Sequence, residues 1–162
     1  MLRIVERQLG ANAQAILQSL QALIDAEPDY ASMVEAAKRA WATKTSTRAK
    51  AEAFQTVRRT LAEMCIGPIR CAYCEDSLAD EVEHIRPKNF FPAHVFRWEN
   101  YLFACGPCNG PKGSRYGVVF NDEVEEFVRT PRGPVIAPPD GESALIDPRF
   151  EDPLDFLELD LG

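Results

Sequence analysis

The chain has no apolar run near the roughly 20 residues that a membrane-spanning helix needs. Its first residues also lack the apolar core of a secretory signal. We therefore expect no membrane association and a cytoplasmic protein. Internal repeats and low-complexity runs are absent as well, so one compact domain is the default for 162 residues.

Histidine is scarce, because only His84 and His94 occur in the chain. A histidine general base, if there is one, must be one of these two. His94 lies in an apolar stretch between Phe91 and Phe96, and we interpret it as a loop residue. His84 directly follows an acidic residue and is the stronger candidate for chemistry.

Four of the five cysteines form two Cys-x-x-Cys pairs, Cys71/Cys74 and Cys105/Cys108, with 30 residues between the pairs. Such spacing suits a reducing cytosol and metal binding better than a disulfide framework. A redox Cys-x-x-Cys is the competing interpretation, but two pairs around one module argue against it. The sequence predicts a closed four-thiolate Zn²⁺ site that holds structure and leaves no open position for chemistry.

The net charge of −7 argues against a nucleic-acid enzyme until it is located along the chain. Residues 140–162 contain eight acids and one base, while residues 1–139 carry 17 of each sign. Between His84 and Gly117 there is one acid, Glu99, against five bases. That region is locally basic, as phosphate binding requires, so the charge does not exclude DNA.

The N-terminal segment, residues 1–66, shows helical periodicity three times. We predict helices over residues 9–26, from a cap at Asp29 or Ser32 to about Lys44, and from a cap at Ser46 or Thr47 to about residue 64. This segment is expected to build a core. Docking of DNA or of a partner protein is the alternative.

Residues 67–130 predict two short strands at 82–85 and 98–104, then a helix from about residue 109. A further strand at 118–120 and a short helix at 124–128 are expected to follow. Residues 131–148 contain five prolines and two glycines, so they predict an irregular wrapping segment. The fold class is α+β, with segments 1–66, 67–130 and a Pro-rich acidic tail at 131–162 in one compact domain.

The acidic tail has two interpretations. It is expected to pack as a structural wrap, or else to lie over the basic region and compete with phosphates until a partner moves it. From Leu157 onward apolar and acidic residues alternate, which predicts an acidic edge strand. The pattern stops without a partner strand, so the natural chain either ends there or continues beyond Gly162.

The polar residues around the cysteines match what a hydrolytic metal site needs, namely oxygen ligands for a hard cation and a histidine to activate water. The motif that contains them consists of Glu83, His84, Arg86, Pro87, Lys88, Trp98, Glu99, Asn100, Asn109 and Lys112. From Cys71 to about Arg115, the pattern resembles the HNH nuclease family and its ββα-metal fold. In the form it resembles, a four-cysteine zinc set holds the hairpin onto the helix.

The resemblance implies a role for each motif residue. His84 would be the general base, and Glu83 a ligand of the catalytic cation, although the family more often has Asp there. Asn100 would brace the loop between the strands and so orient the histidine. Asn109 would be the second ligand in an H-N-N variant, and its hard amide oxygen favours Mg²⁺ or Mn²⁺ over softer metals.

The resemblance also implies a substrate. Lys112 would contact a phosphate, and Arg86, Lys88 and Arg97 are further candidates that one sequence cannot separate from solubilising charges. The implied reaction is DNA nicking that leaves a 5′-phosphate and a 3′-hydroxyl, with RNA left open. A double-strand break would take a homodimer or two visits.

The short motifs are also similar to those of HNH proteins in bacterial anti-phage defence, of the Septu (PtuB) kind, which implies an ATPase partner. Two other classes of function compete with a nuclease. A zinc-stabilised module that binds nucleic acid or protein without cutting would keep the cysteines and need neither His84 nor Asn109. A structural adaptor would use its helical segment to dock a larger enzyme.

Overall fold

The structure, a computed structural model, describes residues 1–130 and 133–158. Helices and two small antiparallel sheets form an α+β fold within these residues, as the sequence predicts. No helix in the described part of the chain combines the length and the hydropathy needed to cross a bilayer.

Three helices occupy the N-terminal segment: α1 (Ala11–Asp25), α2 (Tyr30–Ala42) and α3 (Arg48–Glu63). Both α2 and α3 begin at predicted caps, because the side chains of Asp29 and Thr47 each accept a backbone N–H from the first turn. The three predicted helices are therefore confirmed, with boundaries shifted by one or two residues.

The helical segment shares one hydrophobic core with the loop and strand that follow the motif histidine. Apolar stripes of α1, α2 and α3 supply one side of this core, and large aromatic side chains supply the other. Its members include Leu17, Ile24, Phe54, Val57, Leu61, Val95, Phe96, Trp98, Tyr101 and Phe103. The helices consequently act as the scaffold against which the hairpin packs.

The hairpin consists of β1 (Glu81–His84) and β2 (Tyr101–Ala104), which are antiparallel with Glu81 opposite Ala104. β2 is shorter than predicted, because Trp98–Asn100 form a 3-10 turn before it. The following helix, α4 (Gly106–Lys112), starts about three residues earlier than predicted. Pro107 permits this start, since its missing N–H has no partner in the first turn.

A second sheet has the order β4-β3-β5, formed by β3 (Gly117–Phe120), β4 (Glu123–Glu126) and β5 (Glu142–Ser143). The predicted helix over 124–128 is wrong. Asn121 and Asp122 both have positive φ, 49° and 63°, and make a two-residue hairpin turn that directs the chain back along β3. Residues 133–148, the described part of the segment predicted to be irregular, are irregular apart from the short β5.

Arg149 anchors the acidic tail to the rest of the protein. Its side chain is fully buried, and its Nε donates to Glu6 Oε2 at 2.8 Å. Its Nη1 donates to the carbonyls of Trp98 and Tyr101, and the guanidinium lies 4.7 Å from the Trp98 ring centroid. These contacts favour the packed wrap. The alternating pattern that runs to Gly162 lies mostly outside the described residues.

Replacing Arg149 with methionine is expected to lower the free energy of unfolding by about 2–3 kcal/mol, because two buried carbonyls and Glu6 lose their donor. Denaturant unfolding measures this loss. Arg48→Met is the matched control, since Arg48 is 93% exposed and forms only a surface ion pair with Glu52. Equal loss in the two variants would contradict the anchoring role.

Candidate active site

The four predicted zinc ligands converge. The Sγ atoms of Cys71, Cys74, Cys105 and Cys108 all lie within 4.8 Å of one another, with 3.9 Å between those of Cys74 and Cys105. A tetrahedral zinc site with Zn–S bonds of about 2.3 Å places its sulfurs about 3.8 Å apart. The cluster therefore fits Zn²⁺ in both ligand chemistry and spacing.

Tight backbone turns shape both cysteine pairs. Cys71 O accepts the N–H of Glu75, which has a positive φ of 58°, and Cys105 O accepts the N–H groups of Cys108 and Asn109. Backbone N–H groups, chiefly that of Ser77, lower the pKa of the Cys74 thiol to about 6. This thiol is therefore ready to bind a metal at neutral pH.

The cysteine cluster joins the segment before β1 to the start of α4, because Cys105 is the residue that caps α4. If zinc supplies folding energy there, Cys71→Ser is expected to lose metal and to unfold or aggregate. Cys65→Ser is the matched control, since Cys65 lies outside the cluster. Elemental analysis and circular dichroism measure both effects. A folded, metal-free Cys71→Ser protein would contradict the structural role.

His84 lies at the end of β1 with its ring on the side of the helical scaffold. Its Nε2 is 3.1 Å from Val95 O, and its ring centroid is 4.3 Å from that of Trp41 and 5.3 Å from that of Tyr101. Because a carbonyl only accepts, the contact assigns the ring proton to Nε2 and leaves the lone pair on Nδ1. That is the tautomer a general base needs.

The environment of His84 strongly disfavours its charged form. Burial, followed by the charge of Lys88, lowers the pKa of His84 to about 3, and the charges of Lys112 and Lys44 act in the same direction. The imidazole is therefore neutral at physiological pH. Trp41 covers it from the end of α2, so this arrangement gives His84 little contact with solvent.

Glu83 lies on the opposite face of β1 from His84, because successive strand residues alternate. Its buried carboxylate forms an ion pair with Lys112 and accepts from the Tyr73 hydroxyl at 3.4 Å. Burial raises the pKa of Glu83, and the Lys112 charge counteracts that effect. Lys112 also donates to His84 O at 2.8 Å. A phosphate contact by Lys112 would therefore require Glu83 to release it.

Asn109 projects from α4 onto the same face of β1, where its Nδ2 donates to Glu81 Oε2 at 2.6 Å. Glu81 is not among the predicted site residues, although the strand period of two places it on the same face as Glu83. Two carboxylates and one amide are hard oxygen donors, which is the chemistry Mg²⁺ takes. Glu83 and Asn109 therefore lie on the same face of β1, and His84 lies on the other face.

Asn100 makes the bracing hydrogen bonds that the family resemblance implies. Its Oδ1 accepts from Arg86 N at 2.8 Å, and its Nδ2 donates to Arg86 O at 3.0 Å and to His94 O at 2.9 Å. These bonds hold both ends of the loop between β1 and β2. Since Val95 follows His94, the same bonds position the carbonyl that orients His84.

The remaining candidate phosphate contacts fall on two surfaces. Arg86 and Arg97 line a cavity of about 410 Å³ together with His94 and with Asp147 from the tail. Lys88 lies instead near His84, where its charge acts on the imidazole. The sequence therefore predicted a basic region, but it did not show that the basic residues lie on two different surfaces.

Comparison with known proteins gives one partial relation. A stretch of 50 residues is 44% identical to the Septu protein PtuB of Bacillus thuringiensis. It covers 28% of this chain and 20% of PtuB, so the chain matches about a fifth of that protein's length. No family model matches the chain. No solved structure matches it.

Titration of the two histidines, followed by NMR, tests whether the His84 ring is buried and neutral. Unfolded histidine, with a pKa near 6.5, gains a proton as pH falls from 7 to 5, whereas folded His84 does not. Stability is therefore lost below about pH 6.5, by up to about 1.4 kcal/mol per pH unit from this group.

We expect the His84 Cε1–H shift to stay flat between pH 8 and 5. A His84→Gln variant assigns the resonance, and its stability should fall less than that of the wild type over the same pH range. A midpoint for His84 near 6.5 would contradict the buried, neutral ring.

Proposed function

We propose that this protein is a metal-dependent HNH endonuclease that nicks DNA and leaves a 5′-phosphate and a 3′-hydroxyl. One observation carries the proposal: Asn100 braces the loop whose Val95 carbonyl receives the Nε2–H of His84. The braced carbonyl holds the His84 ring in place, and the lone pair that remains on Nδ1 is what a general base uses to take a proton.

In the proposed reaction, His84 takes a proton from water, and the hydroxide attacks the phosphorus of a phosphodiester. A divalent cation, Mg²⁺ or Mn²⁺ held by Glu83 and Asn109, would supply positive charge for the pentacovalent phosphate and the departing 3′ oxygen. The hard oxygen donors of this face suit such an ion. Zn²⁺ at the four cysteines would hold the hairpin and α4 together and take no part in the chemistry.

The cutting arrangement must differ from this structure in three ways, and the first is that His84 has to reach the side of β1 on which Glu83 and Asn109 lie. Trp41 has to leave the face of His84, because water and phosphate cannot otherwise reach Nδ1. Lys112 has to release Glu83 so that the carboxylate can bind the cation. Once released, Lys112 becomes available for the phosphate contact that the family resemblance implies.

The partial similarity to PtuB supports a role in bacterial anti-phage defence. We propose a cytoplasmic protein that acts beside an ATPase partner, with the exposed face of the helical segment as its docking surface. A double-strand break would follow from a homodimer or from two successive nicks.

A non-catalytic binding module is the second candidate, and the burial of His84 together with the Glu83–Lys112 ion pair favours it. In that case the pair simply stabilises the contact between β1 and α4. His84 would then be a core residue that packs between Trp41 and Tyr101. The two candidates differ in whether any divalent cation elicits cleavage.

Cleavage of supercoiled plasmid with Mg²⁺ or Mn²⁺ decides between them. Loss of a general base lowers rates by roughly 10²–10⁴-fold, so His84→Ala should nearly abolish the open-circle product. His94→Ala is the matched control and should keep activity. Asn109→Ala should need more Mn²⁺ for the same rate, because it removes a ligand and leaves the base.

Equal cutting by wild type and His84→Ala would show that another group or a contaminant acts. Wild-type protein that binds DNA but never cuts, with either cation and with a partner present, would favour the binding module. Zinc content and circular dichroism must match among the variants for these comparisons to count.

A further inference from the structure

The C-terminal end of α2 holds a lysine ammonium in a defined place. Thr43 closes the helix by donating its hydroxyl to Arg39 O at 3.0 Å, and the chain then turns back on itself. The Nζ of Lys44 lies 4.5 Å from the Trp41 ring centroid and 3.4 Å from Trp41 O. The aromatic face and the helix-end carbonyl therefore position this cation.

Lys44 is separated from the proposed general base by a single aromatic ring, because Trp41 packs directly on His84. Lys88 is four residues after His84, in the loop between β1 and β2, and it is half-buried like Lys44. Partial burial, followed by the charge of Lys88, lowers the pKa of Lys44.

Neither of these two lysines forms an ion pair within the described residues. Other lysines of the chain do: Lys38 pairs with Glu35 at 2.7 Å, and Lys112 pairs with Glu83. Two half-buried cations without a carboxylate partner create a positive electrostatic potential that would attract an anion.

We propose that Lys44 and Lys88 together bind a backbone phosphate of DNA beside Trp41, the ring that covers His84. The helical segment is then part of the substrate site and not only a scaffold. The phosphate held there would neighbour the scissile one, so the lysine pair would position the strand over His84. The position relative to cleavage rests on the proposed nuclease function, whereas phosphate binding itself does not.

Salt-dependent binding of a fluorescent 30-base-pair DNA duplex, without added divalent cation, tests the site. Each phosphate contact contributes about 0.9 to the slope of log K against log salt. Lys44→Gln should lower that slope by about 0.9 and weaken binding about eightfold at 0.1 M salt. Lys44→Arg should bind like wild type, because it keeps the charge.

Lys38→Gln is the matched control, since it removes the same charge from an exposed position on the same helix. It should leave the slope unchanged. Lys88→Gln should resemble Lys44→Gln, and the double variant should lose less than the sum of the two, because both lysines hold one phosphate. Thermal unfolding checks that the variants fold.

Equal slopes for Lys44→Gln and wild type would overturn the proposal, as would wild-type protein that does not bind the duplex at low salt. A lowered slope in a protein that never nicks plasmid would support the phosphate site and reject the nuclease. Nicking that is lost with His84→Ala but unaffected by Lys44→Gln and Lys88→Gln, at every salt concentration, would support the nuclease and reject this site.

Discussion

The ββα unit depends on the four-cysteine cluster, because its elements are too short to be stable alone. α4 has seven residues, buries none of them, and contains Pro111. β1 and β2 have four residues each. A helix or a two-stranded sheet of this size is marginal in water. A metal bound by the four cysteines would compensate for that weakness on one side, and the aromatic core compensates for it on the other.

Because side chains alternate along β1, one part of the candidate site faces α4 and the cysteine cluster, and the other part faces the aromatic core. Glu83 points towards α4, which begins at the cysteine cluster, and His84 points towards the helical segment. Lys112 bridges the two faces, since its ammonium contacts the carboxylate of Glu83 and the backbone carbonyl of His84. A change at either support therefore affects both candidate catalytic groups.

Local patterns could be predicted from the sequence, and long-range packing could not. The caps at Asp29 and Thr47 depend on neighbouring residues, and so does the spacing within each cysteine pair. The Asn121-Asp122 turn could also be predicted from its residue types, but the spacing of the apolar residues after it led to a wrong helix prediction. In contrast, nothing in the order of residues indicates that Trp41 covers His84 across more than 40 positions.

Because Trp41 covers His84, the low pKa of this histidine is compatible with its proposed role as a general base. Burial is the main cause of the depressed pKa, and Trp41 contributes to that burial. Once Trp41 moves, solvent and the negative charge of a phosphate would both raise the pKa towards 6.5, where an imidazole accepts protons effectively. The pKa of His84 would therefore rise when water and substrate gain access to its ring. The end of α2 and the turn after it carry Trp41 and Lys44, and displacement of this segment would couple the two.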